Sequence, residues 1–195
     1  MSDIADSLKD AHERGTDEWF AVYIALLAVL LAVCGIGGGN STKDSMQKNI
    51  QASDTWAFYQ AKNQRQTSYK LAADALHLRH GEPGLPEATR KEIETQLDAY
   101  AAEIGRLESE PAKGEGKKEL IAKAKDFESQ RDTALRQDPY FDSSQAFLQI
   151  AIVLASASIV LRNRPLLWAS GLLALAGAFF LFNGFTLAVN IPAIS

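Results

Sequence analysis

Three apolar runs free of charged residues constrain this chain more than anything else in it. They cover residues 19–38 (WFAVYIALLAVLLAVCGIGG), 145–161 and 165–189. A helix needs about 20 predominantly apolar residues to cross a bilayer core, within a range of about 17–25. Hydrocarbon offers the backbone no hydrogen-bond partner, so each run is expected to be a helix. Around them lie a polar N-terminal tail (1–18), a polar stretch (39–144), a short basic loop (162–164) and a C-terminal tail (190–195). The predicted fold class is an all-α integral membrane protein, with three transmembrane helices and a long, coiled-coil-like helical hairpin inserted between the first and second.

A mean hydropathy of −0.11 hides this division, because every charge is kept out of the runs. The net charge of −4 is small, and Lys and Arg alternate with Asp and Glu along the polar stretch. That pattern offers no electrostatic footprint for nucleic acid, and no nucleic-acid partner is expected. Cys34 is the only cysteine, so no intrachain disulfide is possible. The tail before the first run is acidic, unlike the basic start of a secretory signal. Leu31-Ala32-Val33-Cys34 has the outline of a lipobox but departs from it at Val33, and the first run is expected to stay as a helix.

Punctuation divides the polar stretch. GIGGGNST is expected to end the first helix, since glycine favours the position just past a helix end, and Ser41 or Thr42 can cap a new one. Helices are expected over about 43–80, 87–109 and 117–137, separated by HGEPGLP and PAKGEG and closed by Asp138-Pro139. Their lengths, roughly 55, 35 and 30 Å at about 1.5 Å per residue, favour a hairpin with one continuous and one broken arm. Ile93, Leu97, Tyr100, Ile104 and Leu107 recur at alternating four- and three-residue steps, forming a seam against the first arm. Trp56, Phe58, Tyr59 and Tyr69 lie on more than one side of that arm, which suggests contacts with neighbouring subunits.

ASDTWAFYQAKNQRQTSYKLAAD and AKDFESQRDTALRQDPYFDSSQAFLQIAIVLASASIVLRNR, followed by a last apolar helix, carry a resemblance. The chain resembles an uncharacterised bacterial inner-membrane family catalogued as a domain of unknown function (DUF4337). The likeness spans about residues 19–189. It implies an inner-membrane protein with a helical insert and supplies no activity, cofactor or catalytic residue.

Asp74, His77 and His80 stand three residues apart near the tip, the spacing of one helix face. Metal binding is geometrically open to them, but histidines also suit the negative end of a helix dipole, and no metal is expected. GIGGGN lacks the lysine and strand–helix setting of a phosphate loop. The runs carry polar residues such as Gln145, Gln149, Ser156, Ser158 and Asn183, but no Asp, Glu, Lys, Arg or His, the ionisable types of proton relays. Gln149 and Asn183 are expected to bond between helices. No catalytic arrangement can be assembled, so neither enzymatic activity nor a cofactor is expected.

Small residues are more informative. Ala21, Ala25, Ala28, Ala32 and Gly35 form one stripe, and Ser170, Ala174 and Ala178, with Gly171 and Gly177 nearby, form another. Such faces let membrane helices approach closely. With the insert aromatics Trp56 and Tyr59 and the seam, they are the expected packing and oligomer residues. Beyond the lipid bilayer, the expected partners are further copies of the chain and an unidentified protein docked on the insert. Orientation follows from Arg162 and Arg164, since short loops obey the positive-inside rule whereas segments beyond about 60 residues cross regardless of charge. The N-terminus is placed in the cytoplasm and the insert in the periplasm. The expected function is structural self-association in the inner membrane with the insert as an assembly or docking arm; a passive oligomeric channel is the alternative.

Overall fold

The computed structural model describes residues 2–191, with side chains described from Glu18 onward. Readings that fall on the side chains of the N-terminal tail and on residues 192–195 lie outside these. Among the described residues the fold is entirely helical: α1 (Ser2–His80), α2 (Glu87–Glu108), α3 (Lys117–Leu161) and α4 (Arg164–Thr186). Three stretches are long and apolar enough to cross a membrane, within Glu18–His80 of α1, within α3 and within α4. The chain forms two compact units, Met1–Ser45 with Asp132–Ser195, and Met46–Arg131.

Two expected helix ends are absent. GIGGGNST does not terminate the first helix: α1 continues through it to His80, so the long polar helix is no separate insert but the same helix as the first apolar run. Glycine in a helix interior costs about 1 kcal/mol relative to alanine. Here the glycines serve packing. A Cβ at Gly37 would lie 2.5 Å from the Phe141 ring of α3, and one at Gly38 would lie 3.3 Å from the Phe141 Cβ. Ser41 and Thr42 are accordingly interior residues, and the Thr42 hydroxyl donates back to the Gly38 carbonyl at 3.1 Å.

Asp138-Pro139 does not close the third helix either, because Pro139 lies inside α3. Proline removes one backbone donor and crowds the preceding turn, at about 3 kcal/mol in an ordinary helix. Side chains of α1 attend to the carbonyls flanking it. The Ser41 hydroxyl donates to the Ala134 carbonyl, and the Cys34 thiol to the Phe141 carbonyl at 3.0 Å. Both bonds tie the proline-containing segment to α1, although the carbonyl that Pro139 leaves without its helical donor is that of Leu135, an exposed residue.

Within the first unit, Leu27, Cys34, Phe141, Leu148, Ala151 and Leu181 form the buried core. From Phe141 onward the buried residues of α3 are Phe141, Ser144, Leu148, Ala151, Ala155 and Ser158, in steps of three and four residues. Such steps keep one face turned to a neighbouring helix. Within the second unit the pairings descend along α1. His80 meets Glu94, Tyr69 meets Tyr100, Gln66 meets Ile104, and Trp56 meets Glu128, so α2 and then α3 run back along α1. The turn between α1 and α2 places Gly84 at φ +86°, and the break between α2 and α3 places Gly114 at φ +65°, values that suit glycine.

Candidate functional site

The apolar unit is built on close helix contacts. The Phe141 ring is gripped between glycines of two helices: a Cβ at Gly37 of α1 or at Gly184 of α4 would come within 2.9 Å of it. A Cβ at Gly177 would lie 2.8 Å from Leu148. Hydroxyls tie the same surfaces together. Ser144 donates to the Gly177 carbonyl at 2.7 Å, Ser170 donates to the Ala151 carbonyl at 2.7 Å, and the Tyr23 hydroxyl meets Ser170 at 3.0 Å.

The stripe residues part company here. Ser170 is fully buried, and Ala174 and Ala178 of α4 are half-buried in the chain's own packing. Ala21, Ala25, Ala28, Ala32 and Gly35 of α1 are all exposed. The packed residues Tyr23, Leu27, Cys34 and Gly37 occupy the opposite side of that helix. Asn183 does not bond between helices. Its side chain donates to the Val189 carbonyl and accepts from the Val189 N–H, both at 2.8 Å, beyond the end of its own helix. The physical reason is local: Leu187 turns the backbone left-handed at φ 49° and brings Val189 back to the side chain. The Tyr140 hydroxyl holds the same segment, donating to the Val189 carbonyl and accepting from the Ile191 N–H. Gln149 is exposed.

In the second unit the chemistry concentrates where α2 ends and α3 begins. Gln66 of α1 is 2 % exposed, and its amide is fully engaged. Its Nε2 donates to the Ile104 carbonyl and to Glu108, while its Oε1 accepts from Lys117 at 2.8 Å. Lys117 also reaches Glu108 at 3.2 Å and lies over the Tyr59 ring. These hydrogen bonds from Gln66 and Lys117 hold the Glu108 carboxyl below the usual carboxylate range. Glu119 is lowered too, chiefly by the Ser109 hydroxyl, and Glu103 by Arg106, whose own proton it holds more tightly in return. Glu119 also accepts from the Glu110 N–H, closing the break over Gly116, where any Cβ would overlap Ser109 and Glu110. Buried Lys62 pairs with Glu115 at 3.6 Å and lies over Phe58. Acids and bases thus meet here, but they face one another and tie three helix segments together.

Of the seam, Ile93 and Leu107 are buried, while Leu97, Tyr100 and Ile104 are half-buried, with Tyr100 against Tyr69 at 5.4 Å between ring centroids. Trp56 donates to Glu128 at 2.9 Å and meets the Tyr59 ring edge-on, whereas Phe58 stays 43 % exposed. At the tip Asp74 and His77 are exposed, and His80 is engaged with Glu94 at 3.1 Å. Among the described residues no group of three His, Cys, Asp or Glu side chains converges as a metal site would require. Sequence reasoning missed the α3 face from Phe141 to Ser158. The signal for it is the three-and-four spacing of small and apolar residues in the second apolar run.

No curated protein and no solved structure matches the chain. A family model does, covering residues 16–187 and described as a domain of unknown function (DUF4337). With nearly the whole length covered, from within the N-terminal tail to just past the end of α4, the chain belongs to the DUF4337 family.

Proposed function

We propose that this is a structural, self-associating protein of the bacterial inner membrane. In this reading α1, α3 and α4 cross the bilayer, and residues 46–131 serve as an assembly or docking arm. One observation carries it: the face of α1 built from Ala21, Ala25, Ala28, Ala32 and Gly35 remains exposed after the opposite face has packed. A Cβ added at Gly35 or Gly39 meets nothing within 4 Å. Lipid provides no hydrophobic force between helices, so association relies on close packing, for which a face of small residues is suited. The passive channel is less well supported. Ser144, Ser158, Ser170 and Asn183 are hydrogen-bonded within the chain rather than arrayed along an open axis.

In native membranes of a Cys34→Ala background, Ala28→Cys is expected to give a disulfide-linked dimer on mild oxidation. Ala155→Cys, at a position with no exposure, is expected to stay monomeric. Cross-linking at Ala28 no stronger than at Ala155 would remove the small-residue face as an interface. Reproducible unitary currents from the purified protein in planar bilayers would favour the channel instead.

The proposed orientation puts the N-terminus in the cytoplasm and residues 46–131 in the periplasm. Its support is the exposed pair Arg162 and Arg164 in the short connection between α3 and α4. Glu82→Cys, at an exposed turn position in the same Cys34→Ala background, is expected to react with a membrane-impermeant thiol reagent in intact cells. Labelling only after lysis would reverse the topology.

A further inference from the structure

Between the start of the apolar part of α1 and the start of α4 lies an open recess of about 470 Å³. It is lined by Trp19, Phe20 and Tyr23 from α1 and by Leu167, Trp168 and Gly171 from α4. Near it, Tyr23 meets Ser170, so the two helices are tied at this level. The indoles of Trp19 and Trp168 remain 78 % and 77 % exposed, one on each helix.

Among the described residues, the basic charge beside the recess is on α4. Arg164 lies three, four and seven residues before Leu167, Trp168 and Gly171, and therefore shares their face of α4, about one turn nearer its N-terminus. It is exposed, as is Arg162. Asn163 makes no side-chain capping bond and Pro165 has no N–H, so the positive end of the α4 dipole adds to the same place. Glu18, by contrast, shares the Val22 side of α1, away from the recess. An apolar trough with aromatic walls and a cationic head has the chemistry of a lipid, with tail and phosphate separated along the membrane normal. A phospholipid is favoured over a second copy because it supplies both an apolar chain for the walls and an anion for the cationic head at Arg164.

We propose that this recess binds an anionic phospholipid, one acyl chain lying between Trp19 and Trp168 and the phosphate at Arg164. The proposal rests on α1 and α4 crossing the bilayer and is independent of self-association.

Trp56→Phe leaves Trp19 and Trp168 as the remaining tryptophans of the full chain, so their fluorescence reports the recess. The protein is reconstituted into vesicles of phosphatidylcholine and phosphatidylglycerol, with bromine on the acyl chains of one lipid at a time. Brominated phosphatidylglycerol is expected to quench with a roughly fivefold higher apparent association than brominated phosphatidylcholine, the size of effect one basic group exerts near an anionic surface. Arg164→Gln should bring that ratio close to unity. Gly171→Leu, whose side chain begins in open space, should fill the recess and weaken quenching by phosphatidylglycerol while the helical circular dichroism is unchanged. Equal quenching by the two lipids in the parent overturns the proposal, as does an undiminished preference in either variant. Vesicle-bound protein quenched by neither lipid also overturns it, in favour of a second copy covering the recess. Protein that fails to float with the vesicles would refute the membrane-crossing reading itself.

Discussion

Phe141→Ala is expected to destabilise the apolar unit by about 3–5 kcal/mol, the range for truncating a buried aromatic. The ring is 2 % exposed, meets Phe185 edge-on at 4.9 Å, and is held between Gly37 and Gly184. Gly37→Ala alone should cost about 1–3 kcal/mol, because the new methyl group meets a ring with no room to retreat. In the Phe141→Ala background the same glycine change should be nearly silent, since the atoms it would strike are gone. Thermal unfolding of the detergent-solubilised protein, followed by circular dichroism, measures the cycle. Strict additivity of the two changes would show that the ring and the glycine do not meet, since only residues in contact couple strongly.

Leu107→Asp should be comparably damaging to the second unit. Leu107 is 1 % exposed on α2, directly before the carboxylate that Gln66 and Lys117 bind. The substitution removes a buried leucine and places a carboxylate in apolar contact, a combined cost of at least about 3 kcal/mol. Ile104→Asp should do less, because that side chain is already half-exposed. Limited proteolysis of the full chain provides the measurement. Cleavage within residues 82–116 should accelerate strongly for Leu107→Asp and modestly for Ile104→Asp, while the apolar helices remain protected. Parent-like resistance in Leu107→Asp would mean that α2 does not depend on this contact.

Both predictions turn on contacts that lie far apart in sequence, and this divides what was legible from what was not. The apolar runs were readable because hydrophobicity over about 20 residues is a local property, as is the helical conformation that hydrocarbon demands. The turn at HGEPGLP was readable for the same reason, since proline and glycine there meet no partner that could override their backbone preferences. Identical residues were misleading where a partner exists. GIGGGN read as a helix stop because each glycine lowers helix propensity, yet Gly37 lets α1 lie against the Phe141 ring, and that contact together with the unbroken backbone bonds outweighs the local penalty. Pro139 read as a helix end, yet Ser41 and Cys34 of α1 donate to carbonyls on either side of it. Asn183 read as a bridge between helices and instead holds Val189 of its own chain end. The stripes of α1 and α4 looked equivalent in sequence, but only packing decided that Ser170 would be buried and Ala28 left exposed. Local composition determined which segments are helical and which can enter a membrane. Tertiary contacts decided where those helices end and which faces remain available, because a penalty of about 1–3 kcal/mol for glycine or proline is smaller than the packing and hydrogen bonding that oppose it.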